Sequence, residues 1–188
     1  ATDGLAFFTR AGAAPEGVVS SCPTGGTPAL PAAGLGFSAG AAEAFAGFTR
    51  EYTNSVRLLE AGYGEAKARF KLRQLPQVVD LLQRPEGPFQ RSLKVRANDP
   101  FAVRGQLLLG DALLEERQFA AAGQVLQRLA GQQLVPEDRW QAQYIQCRMD
   151  LAEQRLPAAL AATTNLIALA NAAQKPSLLA ESVALQRA

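Results

Sequence analysis

One stretch of the chain, residues 98–130 (NDPFAVRGQLLLGDALLEERQFAAAGQVLQRLA), is echoed 37 residues later. Val103, Leu107, Gly110 and Leu114 become Trp140, Tyr144, Cys147 and Leu151; Phe119 becomes Leu156, Ala121 and Ala122 become Ala158 and Ala159, and Leu129 becomes Leu166. Apolar residues in each copy recur at spacings of three and four, the period of a helix with one buried face. The run pauses at Glu116-Arg117-Gln118 and resumes, so each copy reads as two helices. A fainter copy precedes by 44 residues: Gln74 and Leu75 stand where Gln118 and Phe119 stand, and Ala66 where Gly110 does. Helix pairs repeated every ~40 residues bury a continuous core only by stacking on their neighbours. The spacing therefore predicts an all-α chain, a short superhelix of stacked helix hairpins, with units over 58–97, 98–134 and 135–172 and a half-unit over 176–188. An irregular helical bundle is the alternative.

Local signals fill in this plan. Asp99 before Pro100 predicts an N-cap followed by a proline at a position whose amide hydrogen would go unused anyway. Pro76 suits the first turn of a helix over 76–84, which PEGP at 85–88 stops; FQRSLKVRA then has room for one or two turns. Further upstream, Phe45, Phe48, Tyr52, Val56 and Leu59 read as one helical stripe, with a candidate break at Gly62 and Gly64. Gly110 in mid-helix costs about 1 kcal/mol relative to alanine, so it predicts a close approach by a neighbouring helix.

In these features the chain resembles the tetratricopeptide repeat family. Pro100, Leu109, Gly110, Leu113, Phe119 and Ala122 fit the family's pattern of a small residue in the first helix, an aromatic before the second and a small residue within it. The next unit departs from it: Cys147 takes the small position, Asp150 falls where a large apolar residue is expected, and Thr163 replaces a core leucine. The resemblance covers roughly residues 58–188. It implies that the first helices line a concave face holding a peptide or partner helix. Arg104, Leu107, Asp111, Leu114 and Glu115 would face that groove in one unit, and Gln141, Tyr144, Arg148 and Leu151 in the next. The leucines and Tyr144 equally suit a plain core. Arg104 and Arg148 are the sharper pair, because a guanidinium forks onto a carboxylate.

Composition narrows the chemistry. There is no histidine, which removes the commonest neutral-pH base and the commonest nitrogen ligand for metals. Cys22 therefore has no histidine to deprotonate it. GLGFSAG at 34–40 lacks the lysine and hydroxyl ending of a nucleotide loop. Glu115 with Glu116, and Glu137 with Asp138, are adjacent rather than facing carboxylates, and read as surface or capping residues. A net charge of +2 gives no field for nucleic acid, and Lys67, Arg69, Lys71 and Arg73 do not share one helical face. No apolar run reaches the ~18 residues of a membrane span. The chain is thus expected to be a non-enzymatic interaction or assembly scaffold without cofactor or metal. Its partner would be a protein or peptide, or another domain of a longer chain. An accessory domain of a larger enzyme and a structural spacer are the alternatives.

Residues 1–40 read differently: rich in Gly, Pro, Ser and Thr, they form an irregular arm ahead of the helical part at 41–188. Phe7, Phe8 and Val18 are its candidate contacts. Cys22 and Cys147 form either one disulfide or two free thiols. A start at Ala1 and such an arm slightly favour a periplasmic or extracellular protein, and the bias towards alanine, arginine and glutamine a bacterial source. The final unpaired helix suggests a longer polypeptide or a partner chain that covers it.

Overall fold

The computed structural model describes residues 39–187. Among them are nine helices in chain order: α1 (Ala39–Glu51), α2 (Leu58–Lys71), α3 (Leu75–Gln83), α4 (Pro88–Val95), α5 (Pro100–Glu115), α6 (Phe119–Leu129), α7 (Pro136–Ala152), α8 (Leu156–Ala172) and α9 (Pro176–Arg187). The described chain is all-α, built of stacked helices that pair as hairpins: α2 with α3, α5 with α6, α7 with α8. Helices α2, α5 and α7 lie side by side, and α8 carries α9. This is the arrangement of a helical repeat, irregular because the short α4 is inserted between α3 and α5. The arm contacts at Phe7, Phe8 and Val18, and Cys22, lie outside the described residues.

Prolines set most of the helix starts, standing in the first turn of α3, α4, α5, α7 and α8. Asp99 caps α5 as its sequence predicts, its carboxylate accepting from the Phe101 amide at 2.9 Å. The hairpin turns repeat one geometry. Arg73, Arg117 and Gln154 each have φ near 60°, the left-handed conformation that closes a helix C-terminus. In each turn the next amide reaches back to a carbonyl five residues earlier: Gln74 to Arg69, Gln118 to Leu113, Arg155 to Asp150. The turns recur at the 44- and 37-residue intervals seen in the sequence.

Two apolar clusters meet on α7. Ile145 and Met149 face the larger one, with Leu107, Leu113, Ala122 and Leu129 of the α5–α6 pair and Leu59, Val78 and Leu82 before it. Trp140 and Cys147 face the second, with Ala159, Leu166 and Ala170 of α8. Alternate faces of one helix thus join both halves of the core.

Two readings of the upstream text change. The stripe from Phe45 to Leu59 is not one helix: α1 ends at Glu51, and Val56 in the connection is 67% exposed. Asn54, Ser55 and Thr53 favour turns over helix, and the Ser55 hydroxyl accepts from the Arg57 amide at 3.2 Å. No break occurs at Gly62 or Gly64; α2 runs through both. Their missing side chains admit phenyl rings instead. A Cβ on Gly62 would lie 3.2 Å from Phe89 Cδ2, and one on Gly64 2.7 Å from Phe45 Cζ.

Phe89 is the wedge of α4. It is 1% exposed and fills the space between α2 at Gly62 and α5 at Gly105, where an added Cβ would come within 2.7 Å of its Cε2 and closer still to its Cζ. Gly110 does face a neighbouring helix, but less tightly: its Cβ would sit 3.4 Å from Ile145 Cδ1 on α7, an ordinary contact.

Candidate functional site

The face shared by α2, α5, α7 and α9 gathers most of the charged and aromatic side chains that interact between units. Helical spacing puts Arg104, Asp111 and Glu115 on one stripe of α5, and Gln141 and Arg148 on the facing stripe of α7. Gln141 Nε2 donates to Asp111 Oδ2 at 2.8 Å. Arg148 donates to Glu115 Oε1 at 2.8 Å, and Arg73 at the end of α2 reaches the other oxygen, Oε2, at 3.4 Å. Arg104 lies 3.8 Å from Asp138. The Arg148 guanidinium also stands 5.8 Å from the centre of the Tyr144 ring, whose other neighbour is Trp140, stacked at 4.9 Å. On α2, the Lys67 ammonium lies 5.7 Å from the Tyr63 ring centre, and Tyr63 meets Phe101 at 6.0 Å.

Arg148, Glu115 and Arg117 line a recess of about 410 Å³ with Leu114, Phe119 and Ala152, between the end of the α5–α6 hairpin and the last turns of α7. The sequence-predicted residues thus divide. Arg104, Asp111, Glu115, Gln141, Tyr144 and Arg148 come together on this face. Leu107 is fully buried, and Leu114 nearly so although its edge reaches the recess; both belong to the core. Leu151 packs with the second apolar cluster.

The electrostatics follow from burial and pairing. Asp111 is partly buried between α5 and α7, where Gln141 reaches it. Burial first, then the like charges of Glu115 and Glu181, push its carboxyl up to about 6, against the Gln141 hydrogen bond and the Arg148 charge. The Arg148 hydrogen bond holds Glu115 below the usual carboxylate range, with help from Arg73. Glu181 on α9 is half-buried and raised by burial. Burial likewise raises Asp138 and the Tyr63 and Tyr144 hydroxyls, and it lowers Lys67, which also feels Lys71 and Arg104.

Several further polar residues are satisfied in or beside the core. Asp150, at a position where the repeat pattern wants a large apolar side chain, is buried and accepts from Arg155 at 2.7 Å and Gln146 at 3.0 Å, tying the α7–α8 turn together. Thr163 satisfies its buried hydroxyl on the Leu160 carbonyl at 2.7 Å. Ser182 of α9 accepts the buried indole N–H of Trp140 at 2.9 Å. Glu65, buried on α2, holds Arg69 at 2.8 Å, and Arg69 reaches on to Gln77 of α3 at 2.7 Å. Cys147 is buried in the second cluster with its sulfur 3.5 Å from the Ala159 carbonyl, and burial raises its thiol. Its pairing with Cys22 lies outside the described residues.

Among the described residues no group of His, Cys, Asp and Glu side chains is placed to hold a metal ion, and no helix is long and apolar enough to cross a membrane. Compared with protein-family models, with curated proteins and with solved structures, the chain finds no match in any of the three.

Proposed function

We propose that this chain is a non-catalytic interaction or assembly module of the tetratricopeptide kind, which holds a peptide or partner helix across the face formed by α2, α5, α7 and α9. The observation that carries this reading is the alignment of Arg104, Asp111 and Glu115 on α5 with Gln141, Tyr144 and Arg148 on α7, with Glu115 and Arg148 at the recess. Gln141 is held on Asp111, and Arg148 on Glu115 and the Tyr144 ring, so less rotamer freedom is lost there when a ligand docks. The mixture of carboxylates, guanidinium groups and aromatic rings suits a peptide bearing both charge and apolar anchors.

A second feature favours an assembly role. Helix α8 has no charged residue along its 17-residue length, and Leu156 and Leu160 on it are 62% and 60% exposed. The outward residues of α3 and α6, such as Asp80, Gln83, Gln124 and Arg128, are polar.

Site-directed photo-crosslinking in the native host tests the proposal. A photoreactive phenylalanine in place of Ala152, on the recess, is expected to capture discrete protein partners. The same residue in place of Gln127, exposed on α6, is expected to capture none of them. Capture of the same partners from Gln127 alone would move the binding face to the opposite side, and no capture from either would leave the chain a spacer.

A further inference from the structure

The outward side of α8 differs from those of α3 and α6, the second helices of the other hairpins. Asp80 on α3 and Arg128 on α6 put charge on the surface, whereas no residue of α8 is charged. One ridge of α8 at four-residue spacing, Leu156, Leu160, Thr164, Ala168 and Ala172, is exposed along its whole length. Apart from the Thr164 hydroxyl it is apolar, and its two leucines stand on successive turns with more than half their surface open. A continuous apolar strip of this kind marks an interaction surface.

The order of residues along the ridge decides what fits it. The large members stand at the N-terminal end, the small ones at the C-terminal end, and Thr164 at the midpoint. A second α8 laid antiparallel about a two-fold axis through Thr164 sets Leu160 against Ala168 of the other copy, and Leu156 against its Ala172. Each leucine then enters the space an alanine leaves, the self-complementarity that a two-fold interface requires. A parallel copy would set leucine against leucine at one end and leave a gap between alanines at the other.

The flanks of α8 are charged but paired. Arg155, just before the helix, pairs with Glu153 at 2.6 Å, and Lys175, just after it, pairs with Glu137 at 2.8 Å. All four side chains are exposed by a third or more. Antiparallel apposition brings the pair at one end beside the pair at the other, so both signs are present at each end of an apolar seam.

We propose that the outward ridge of α8 is a homodimer surface, through which two copies of this chain associate by antiparallel α8 helices about a two-fold axis at Thr164. A helix of 17 residues is about 25 Å long, and one helix pair covers less than the roughly 1,200–2,000 Å² of a stable interface. The dimer is therefore weak and follows concentration by mass action. It rests on the assembly part of the proposed function and names its partner, a second copy. It uses none of the residues assigned to peptide binding, so either can fail without the other.

Sedimentation equilibrium of the full chain, with no partner added, tests it over about a hundred-fold range of concentration up to the millimolar. The wild type is expected to pass from monomer to dimer across that range. Leu160→Glu and Ala168→Lys should each weaken association about ten-fold or more, with unfolding midpoints near that of the wild type. Both positions are exposed, and each new charge sits in the half of α8 where the helix dipole favours it. An equimolar mixture of the two variants should dimerise again, because the antiparallel seam sets the new carboxylate against the new ammonium. Should one variant lose helicity, the other still reads the seam. A wild type that stays monomeric throughout overturns the proposal and leaves the face to another protein. Association unchanged in a folded variant overturns it as well, since the contact then lies elsewhere. Two folded variants that fail to recombine refute the antiparallel arrangement.

Discussion

Gly105 and Gly110 lie five residues apart on α5, and the structure assigns them opposite responses to the same substitution. Alanine is the better helix former by about 1 kcal/mol, so on open helix either change stabilises. At Gly105 the new Cβ would fall within 2.7 Å of Phe89 Cε2 and closer to Cζ, and Phe89 is fully buried between two helices. The ring cannot retreat without moving α4, and overpacking of this kind costs about 1–3 kcal/mol, which outweighs the propensity gain. Gly105→Ala is therefore expected to destabilise by up to about 2 kcal/mol net. At Gly110 the Cβ would meet Ile145 Cδ1 at 3.4 Å, the mobile end of a side chain, so Gly110→Ala should be neutral or stabilise by up to ~1 kcal/mol. Gly110→Leu, by contrast, drives three more carbons into Ile145 and should cost about 1–3 kcal/mol. Urea unfolding with the slope held common to all variants gives the comparison. A Gly105→Ala midpoint at or above that of Gly110→Ala would remove Phe89 from the α2–α5 interface and refute the packing argument.

Ser182→Ala should leave the buried Trp140 indole without an acceptor and cost about 1–3 kcal/mol, read as a lower unfolding midpoint with altered Trp140 emission; an unchanged midpoint contradicts the hydrogen bond. Gln154→Gly should stabilise by about 0.5–1 kcal/mol in thermal unfolding, because Gln154 holds φ at 59° at the α7–α8 turn, where glycine pays no side-chain penalty. Asp111 makes stability depend on pH. Its folded value of about 6 lies above the ordinary 3.8, so the folded state binds this proton more tightly and the stabilisation present at low pH is lost as pH rises through 6. Unfolding free energy relative to Asp111→Asn should fall by about 1–2 kcal/mol from pH 4 to 7, after allowance for solvent screening. The comparison with Asp111→Asn matters because Glu115, held low by Arg148, acts in the opposite sense as acid protonates it.

The sequence made the hairpins legible because their signals are local. Pro76, Asp99 and Pro100 act within one turn, and the period-three-and-four stripes need no knowledge of the partner helix. The turn at Glu116-Arg117-Gln118 was visible as a pause, but the shared left-handed geometry at Arg73, Arg117 and Gln154 was not, since none of the three is glycine. The break after Glu51 was hidden because Tyr52, Val56 and Leu59 continue the apolar spacing across it. Gly105 escaped notice where Gly110 did not, because its reason is Phe89, on a short inserted helix outside the repeat pattern. On the proposed binding face the α5 and α7 stripes could be read from their spacing in the two units. Leu107 and Leu114 turned inward because α5 is packed by helices on several sides. Ser182 depends on a contact with another helix, which no local pattern records, whereas Asp150 is satisfied close by, by Gln146 and Arg155.

The central claim, that the α2–α5–α7–α9 face binds a partner, is tested most directly by affinity at Arg104. Its side chain is 43% exposed and lies 3.8 Å from Asp138, so Arg104→Ala should leave the unfolding midpoint nearly unchanged. Titration calorimetry with a partner captured at position 152 should show binding weakened about ten-fold or more by Arg104→Ala, the loss expected when a charged anchor is removed. The same partner should bind Gln127→Ala, altered on the opposite face, as it binds the wild type. Full affinity in Arg104→Ala together with lost affinity in Gln127→Ala would contradict the account.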